Sequence, residues 1–114
     1  MTDSLEKFVS LERVVEASGA SMRPFHTAGL VILPLFGWYD YSFGDPRDEL
    51  MSMWTDYQAC RWPTGYDEQE IAAQFDALNV STPPPADLVI TYSHFMPRID
   101  LMPSHGVATT GRYF

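Results

Sequence analysis

Leu88-Val89-Ile90-Thr91-Tyr92 runs directly into Ser93-His94-Phe95-Met96-Pro97-Arg98, and the reading of this stretch decides the fold. Its first five residues are apolar or β-branched, the pattern of a strand buried on both faces in the parallel sheet of an α/β protein. Ser93-His94 then falls where such a strand ends. Open α/β sheets bind ligands in the crevice outside the carboxyl ends of their strands. Pro97 cannot donate to a ladder and biases Met96 toward extended geometry, so the strand is expected to stop before it. A histidine delivered to a sheet rim suits a metal ligand or an acid/base group. It equally suits an ordinary polar strand end, and spacing does not choose between them.

The chain of 114 residues fits one domain with a modest core. A hydrophobic share of 46% with 14% aromatics argues for a folded chain. The formal charge of -8 excludes nucleic acid and anionic membrane as expected partners, because neither is held without a basic patch. A metal ion could still reverse that sign within one pocket. Cys60 stands alone, so no intrachain disulfide is expected. Met1-Thr2-Asp3-Ser4 lacks the basic and apolar regions of a signal peptide. No apolar run approaches the ~20 residues of a membrane span. The expectation is a cytoplasmic protein.

In chain order, Asp3 to Ser18 reads as an amphipathic helix. Asp3 and Glu6 form a capping box, Leu5, Phe8, Val9, Leu11, Val14 and Val15 a core-facing stripe, and Gly19 a stop. Leu30 to Phe36 predicts a buried strand that ends, bulges or lies at an edge at Pro34. The aromatic run Trp38-Tyr39-Asp40-Tyr41-Ser42-Phe43 is either a contact surface or a cover for a sheet edge. Asp45-Pro46 predicts a helix start, with Leu50, Met53, Trp54 and Tyr57 as its buried face. Asp67 and Glu70 cap a third helix bearing Ile71, Phe75 and Leu78. Ser81-Thr82-Pro83-Pro84-Pro85 is a stiff loop, and Ser104 to Phe114 is assigned no structure. A connection of roughly fifty residues is ample for a parallel crossover, which needs a dozen or more. Two strands alone would leave apolar edges open, which suggests that part of a larger sheet is missing.

Two stretches together, Gly29 to Phe43 with its Gly-Trp-Tyr-Asp-Tyr, and Asp87 to Arg98 with its Ser-His-Phe-Met-Pro-Arg, resemble the later half of calcineurin-like metallophosphoesterases. The likeness spans about Asp3 to Pro103. It implies an α/β fold, a partial metallophosphoesterase-like sandwich of few strands with flanking helices, formed by residues 1–114 as a single C-terminal portion of that domain. It implies metal-dependent hydrolysis of a phosphate ester in the full-length form, with His94 a metal ligand and Arg98 orienting phosphate. The implied cofactors are divalent ions: manganese, iron or zinc. Arg98 has a plain alternative in a surface ion pair with Asp100 or another carboxylate.

The family's other metal motifs are missing. No Asp-x-His, Gly-Asn-His or Gly-His-x-His string occurs, and Gly44-Asp45-Pro46-Arg47-Asp48 matches a Gly-Asp-x-x-Asp pattern at the wrong place. Two metals ~3.5–4 Å apart need several converging carboxylates and imidazoles. This chain offers only His26, His94 and His105 among imidazoles. His26 is expected at the surface or in packing, and nothing in the spacing brings His105 to His94. The reading is therefore a phosphoesterase-derived chain that is inactive alone and too incomplete to hold two metal ions unaided. The alternative is a non-catalytic binding module using residues 38–43. A third reading is a truncated product, a homo-oligomer through exposed strand edges.

Overall fold

The computed structural model describes residues 2–45, 48–96, 98 and 100. Its elements are α1 (Ser4–Ala17), β1 (Phe25–Thr27), β2 (Leu30–Leu35), α2 (Asp48–Met53), α3 (Thr55–Ala59), α4 (Glu68–Asp76) and β3 (Leu88–Ser93). The sheet order is β1-β2-β3, with β1 antiparallel to β2 and β2 parallel to β3. The chain is thus mixed α/β, with α2, α3 and α4 on the parallel crossover.

β1 is an addition to the expected elements. Its three exposed residues carry no periodic signal, and His26 sits in it opposite Val31. Ala28-Gly29 closes the hairpin. Gly29 takes a φ of +72°, a region that costs other L-residues steric strain. Its carbonyl also accepts the Leu88 N–H at 2.9 Å, which starts the β2–β3 ladder.

Pro34 neither ends nor bulges β2, and the strand is central rather than an edge. The reason lies in which way each backbone group points. The bond from Leu88 to Gly29 turns the odd-numbered groups of β2 toward β3 and the even-numbered ones toward β1. β1 pairs only with residues 30 to 32. Pro34 therefore presents its missing N–H where β1 has already ended, and no ladder bond is lost.

β3 forms where expected but is not buried. All six residues are exposed, and Leu88, Val89, Ile90 and Tyr92 stand between 39% and 56% accessible. It is the outer strand of the sheet, so a both-faces-apolar sequence lies on an open edge. The buried apolar residues are Val31, Leu33, Tyr39, Ile71 and Phe75.

α1 carries the expected capping box: Asp3 accepts the Glu6 N–H at 2.9 Å, and Glu6 accepts the Asp3 N–H at 3.2 Å. Gly19 follows the Ser18 cap with φ +87°. The expected stripe is only partly used. No residue of α1 is buried, and Val9, Leu11 and Val14 are exposed. Phe8 makes the main tie, with its ring edge-on to Phe36 at 5.5 Å and to Phe75 at 5.2 Å. Ser4 adds a second tie, donating its N–H to the Arg61 carbonyl and accepting the Arg61 N–H through Oγ at 2.8 Å.

The expected second helix is two short helices. Trp54 between them is extended (φ -75°, ψ 127°) and caps α3 without a side-chain bond. α2 begins at Asp48; Pro46 and Arg47, on which the expected helix start after Asp45 falls, and the side chain of Leu50 lie outside the described residues. α4 follows its prediction, with a capping box between Asp67 and Glu70 and buried Ile71 and Phe75. Leu78 falls past the helix end and is exposed. Among the described residues, no helix is long and apolar enough to cross a membrane.

Candidate functional site

Because β2 and β3 are parallel and in register from Leu30↔Leu88 to Leu35↔Ser93, their carboxyl ends finish side by side. The aromatic run leaves one end and Ser93-His94-Phe95 leaves the other. Phe95 joins them: its ring meets Tyr39 edge-on at 4.9 Å and Trp38 at 6.2 Å. Gly37 lies beneath the Phe95 ring, where a Cβ would sit 3.6 Å away in ordinary contact.

The run is held from the other side by α4 and its exit. Asn79, three residues past α4, accepts the Phe36 N–H at 2.7 Å and donates to the Phe36 carbonyl at 2.9 Å. Its side chain continues β2 the way a neighbouring strand would. Gln69 donates to the Asp40 carbonyl at 3.4 Å.

Tyr39 is the centre of the aromatic packing. Its hydroxyl donates to Asp56 at 2.8 Å and accepts from the Trp54 indole at 2.6 Å. The helix break at Trp54 is what brings both partners to it from one short stretch. Burial, reinforced by the bond to Asp56, pushes the Tyr39 hydroxyl up to about 12. Tyr41 stacks on Tyr39 and Tyr57 stacks on it as well. Tyr41 adopts a φ of 58°, which is unusual for a bulky residue, and burial followed by the charge of Glu68 raises its hydroxyl to about 12. Trp38 packs edge-on against Trp62 at 4.8 Å. The expected contact surface is therefore largely interior: Tyr39 is buried, and Trp38, Tyr41 and Phe43 are half-buried.

Between these walls lies a cavity of about 650 Å³, lined by Trp38, Tyr39, Asp40 and Phe43 from the aromatic run, by Gln69, Ala72, Ala73, Asp76 and Asn79 from α4 and its exit, and by Ser93, Phe95 and Met96. Pockets of this size that are apolar with a few polar groups are where ligands bind. Sequence reading located the first and last groups but missed Gln69, Asp76 and Asn79. Gln69 and Asp76 sit on the exposed side of α4, where an amphipathic pattern marks only the buried side, and Asn79 lies past its end. Asn79 left one trace, an amide just past a helix end.

His94 lies one residue beyond β3, as expected, with an exposed ring edge-on to Phe95 at 5.4 Å. It borders the cavity without lining it. Arg98 is exposed and forms a two-bond pair with Asp100, at 2.9 and 2.8 Å, which is its plain alternative realised. The pair raises the Arg98 guanidinium further and holds the Asp100 carboxyl below its usual range. His26 in β1 is exposed, and His105 and Pro97 lie outside the described residues. Among the described residues, no group of three or more His, Cys, Asp or Glu side chains is placed to hold a metal ion. His94 with its described neighbours does not make a metal centre.

No family model, curated protein or solved structure matches the chain.

Proposed function

We propose that this chain is part of a metal-dependent phosphoesterase fold, a metallophosphoesterase-like sandwich completed by polypeptide other than the residues described. In that reading His94 is one ligand of a metal centre whose other ligands come from elsewhere, and the chain alone does not hydrolyse phosphate esters. One observation carries it. The parallel, in-register pairing of β2 and β3 ends both strands at a common sheet rim, from which His94 follows β3 and the aromatic run follows β2, the setting in which α/β proteins bind ligands. The open edge of β3 supports it further, since an apolar strand of this kind is ordinarily paired. Arg98 would reach phosphate only by leaving Asp100.

The test is a calorimetric titration with manganese and with zinc, alongside hydrolysis of bis(p-nitrophenyl) phosphate. The proposal expects one weak ion per chain, lost in His94→Ala, and no turnover above the metal-only rate. Ion binding untouched by His94→Ala, or no ion binding at all, would overturn it.

A second reading is a non-catalytic binding module. The cavity of about 650 Å³ favours it, because residues of the aromatic run line it. Under either reading the free β3 edge is also available to a second copy.

A further inference from the structure

We propose that the cavity at the carboxyl ends of β2 and β3 binds a small organic cation, a quaternary or protonated alkylamine. Five aromatic residues, Phe36, Trp38, Tyr39, Phe43 and Phe95, contribute to its walls, and two carboxylates, Asp40 and Asp76, share them. Among the described residues, no lysine, arginine or histidine lines it. Aromatic faces attract cations through the ring quadrupole, and quaternary ammonium groups are recognised by such clusters.

The carboxylates are not spent on other cations. Asp40 uses Oδ1 to accept from the Ser42 N–H and hydroxyl at 2.9 and 2.8 Å, a local turn that fixes its orientation. Asp76 accepts only a long 3.4 Å contact from Asn79. Among the described residues, the ion pairs are Arg23 with Glu12 and Glu16, and Arg98 with Asp100, so neither lining carboxylate has a cationic partner. Tyr39 is stacked between Tyr41 and Tyr57 with its hydroxyl already occupied, so it backs the wall and leaves the ring faces of its neighbours to meet a cation.

Charge then decides the class of ligand. An anion entering the cavity would meet two carboxylates and, among the described residues, no cationic donor. A neutral apolar molecule would gain only burial. A cation gains burial, ring faces and both carboxylates, and the chain's charge of -8 favours its approach. The proposal involves no metal and stands or fails separately from the phosphoesterase reading.

The experiment titrates the 114-residue chain with choline and with 3,3-dimethylbutan-1-ol, its neutral isostere, following tryptophan fluorescence and heat at matched ionic strength. Choline is expected to bind saturably, at least about tenfold tighter than the isostere, the ratio that a desolvated cation–π contact supports. Asp76→Asn and Asp40→Asn, both at exposed positions, are expected to weaken choline several-fold and leave the isostere unchanged, with the far-ultraviolet spectrum intact. Absence of a saturable response to choline, or equal affinity for the two isosteres, would overturn the proposal. So would inorganic phosphate displacing choline at equal ionic strength.

Discussion

Asn79 pairs with the backbone of Phe36 in both directions, accepting its N–H at 2.7 Å and donating to its carbonyl at 2.9 Å across forty-three residues of sequence. This one side chain fastens the exit of α4 to the end of β2 and so sets the width of the cavity. Asn79→Ala leaves both half-buried backbone groups without a partner. The expected loss is about 1–3 kcal/mol, the cost of unsatisfied polar groups, read as a lower denaturant midpoint with an unchanged slope. Asn79→Asp keeps the acceptor and loses the donor, and is expected to fall between the two.

The two raised tyrosines make stability depend on alkaline pH. Tyr39 and Tyr41 have folded-state values of about 12 against ordinary values of 10.0. A group raised in the folded state contributes stability that is complete below its unfolded value and is lost as pH rises through its folded value. Urea midpoints should therefore hold steady up to pH 10 and decline between 10 and 12. The double variant Tyr39→Phe/Tyr41→Phe is expected to start from a lower midpoint and to show a flatter decline, measured by the same titration series.

Gly29 is held by both its backbone and a close neighbour. Its φ of +72° disfavours a side chain, and a Cβ there would stand 2.6 Å from Asp87 Oδ2. Gly29→Ala is expected to cost about 1–2 kcal/mol from the backbone alone. Displacing the Asp87 carboxylate adds to this, so Gly29→Ala/Asp87→Ala should recover part of the loss. Thermal unfolding of the single and double variants checks both statements.

The free edge of β3 should pair with a second copy when the chain is alone. Since Leu88 bonds toward β2, the backbone groups of Val89, Thr91 and Ser93 point outward. Antiparallel pairing centred on Thr91 sets Ile90 opposite Tyr92 of the other copy and threonine opposite threonine, both favourable cross-strand pairs. No charged residue interrupts Leu88–Ser93. Sedimentation velocity is expected to show concentration-dependent dimers, abolished by Thr91→Pro, which removes an outward N–H without touching the β2 ladder. A monomer at high micromolar concentration would contradict this.

What the sequence disclosed follows from where its signals are local. The capping boxes at Asp3 and Asp67, the apolar runs at Leu30 and Leu88, and the parallel crossover all rest on spacing or length, and all are present. Three features depend on tertiary context and were not legible. Pro34 is tolerated in β2 because of where β1 ends. The helix expected from Asp45 breaks at Trp54, whose indole is bonded to Tyr39 instead of a neighbouring turn. β3 carries a core-like sequence yet lies at an edge, because apolar composition records what a strand is suited to meet and not what covers it. The site divides in the same way: His94 and the aromatic run were visible as unusual residues, whereas Asp76 and Asn79 gain meaning only once α4 is laid beside β2.

The central claim is that His94, held at the rim of a parallel β2–β3 pair, is a metal-ligand position. Paramagnetic broadening by manganese, followed on the three histidine ring resonances, tests it most directly. The account predicts selective loss of the His94 signal, with Ser93 and Phe95 amides fading next and His26 unaffected. Broadening spread over the acidic surface with the His94 ring still sharp would contradict it.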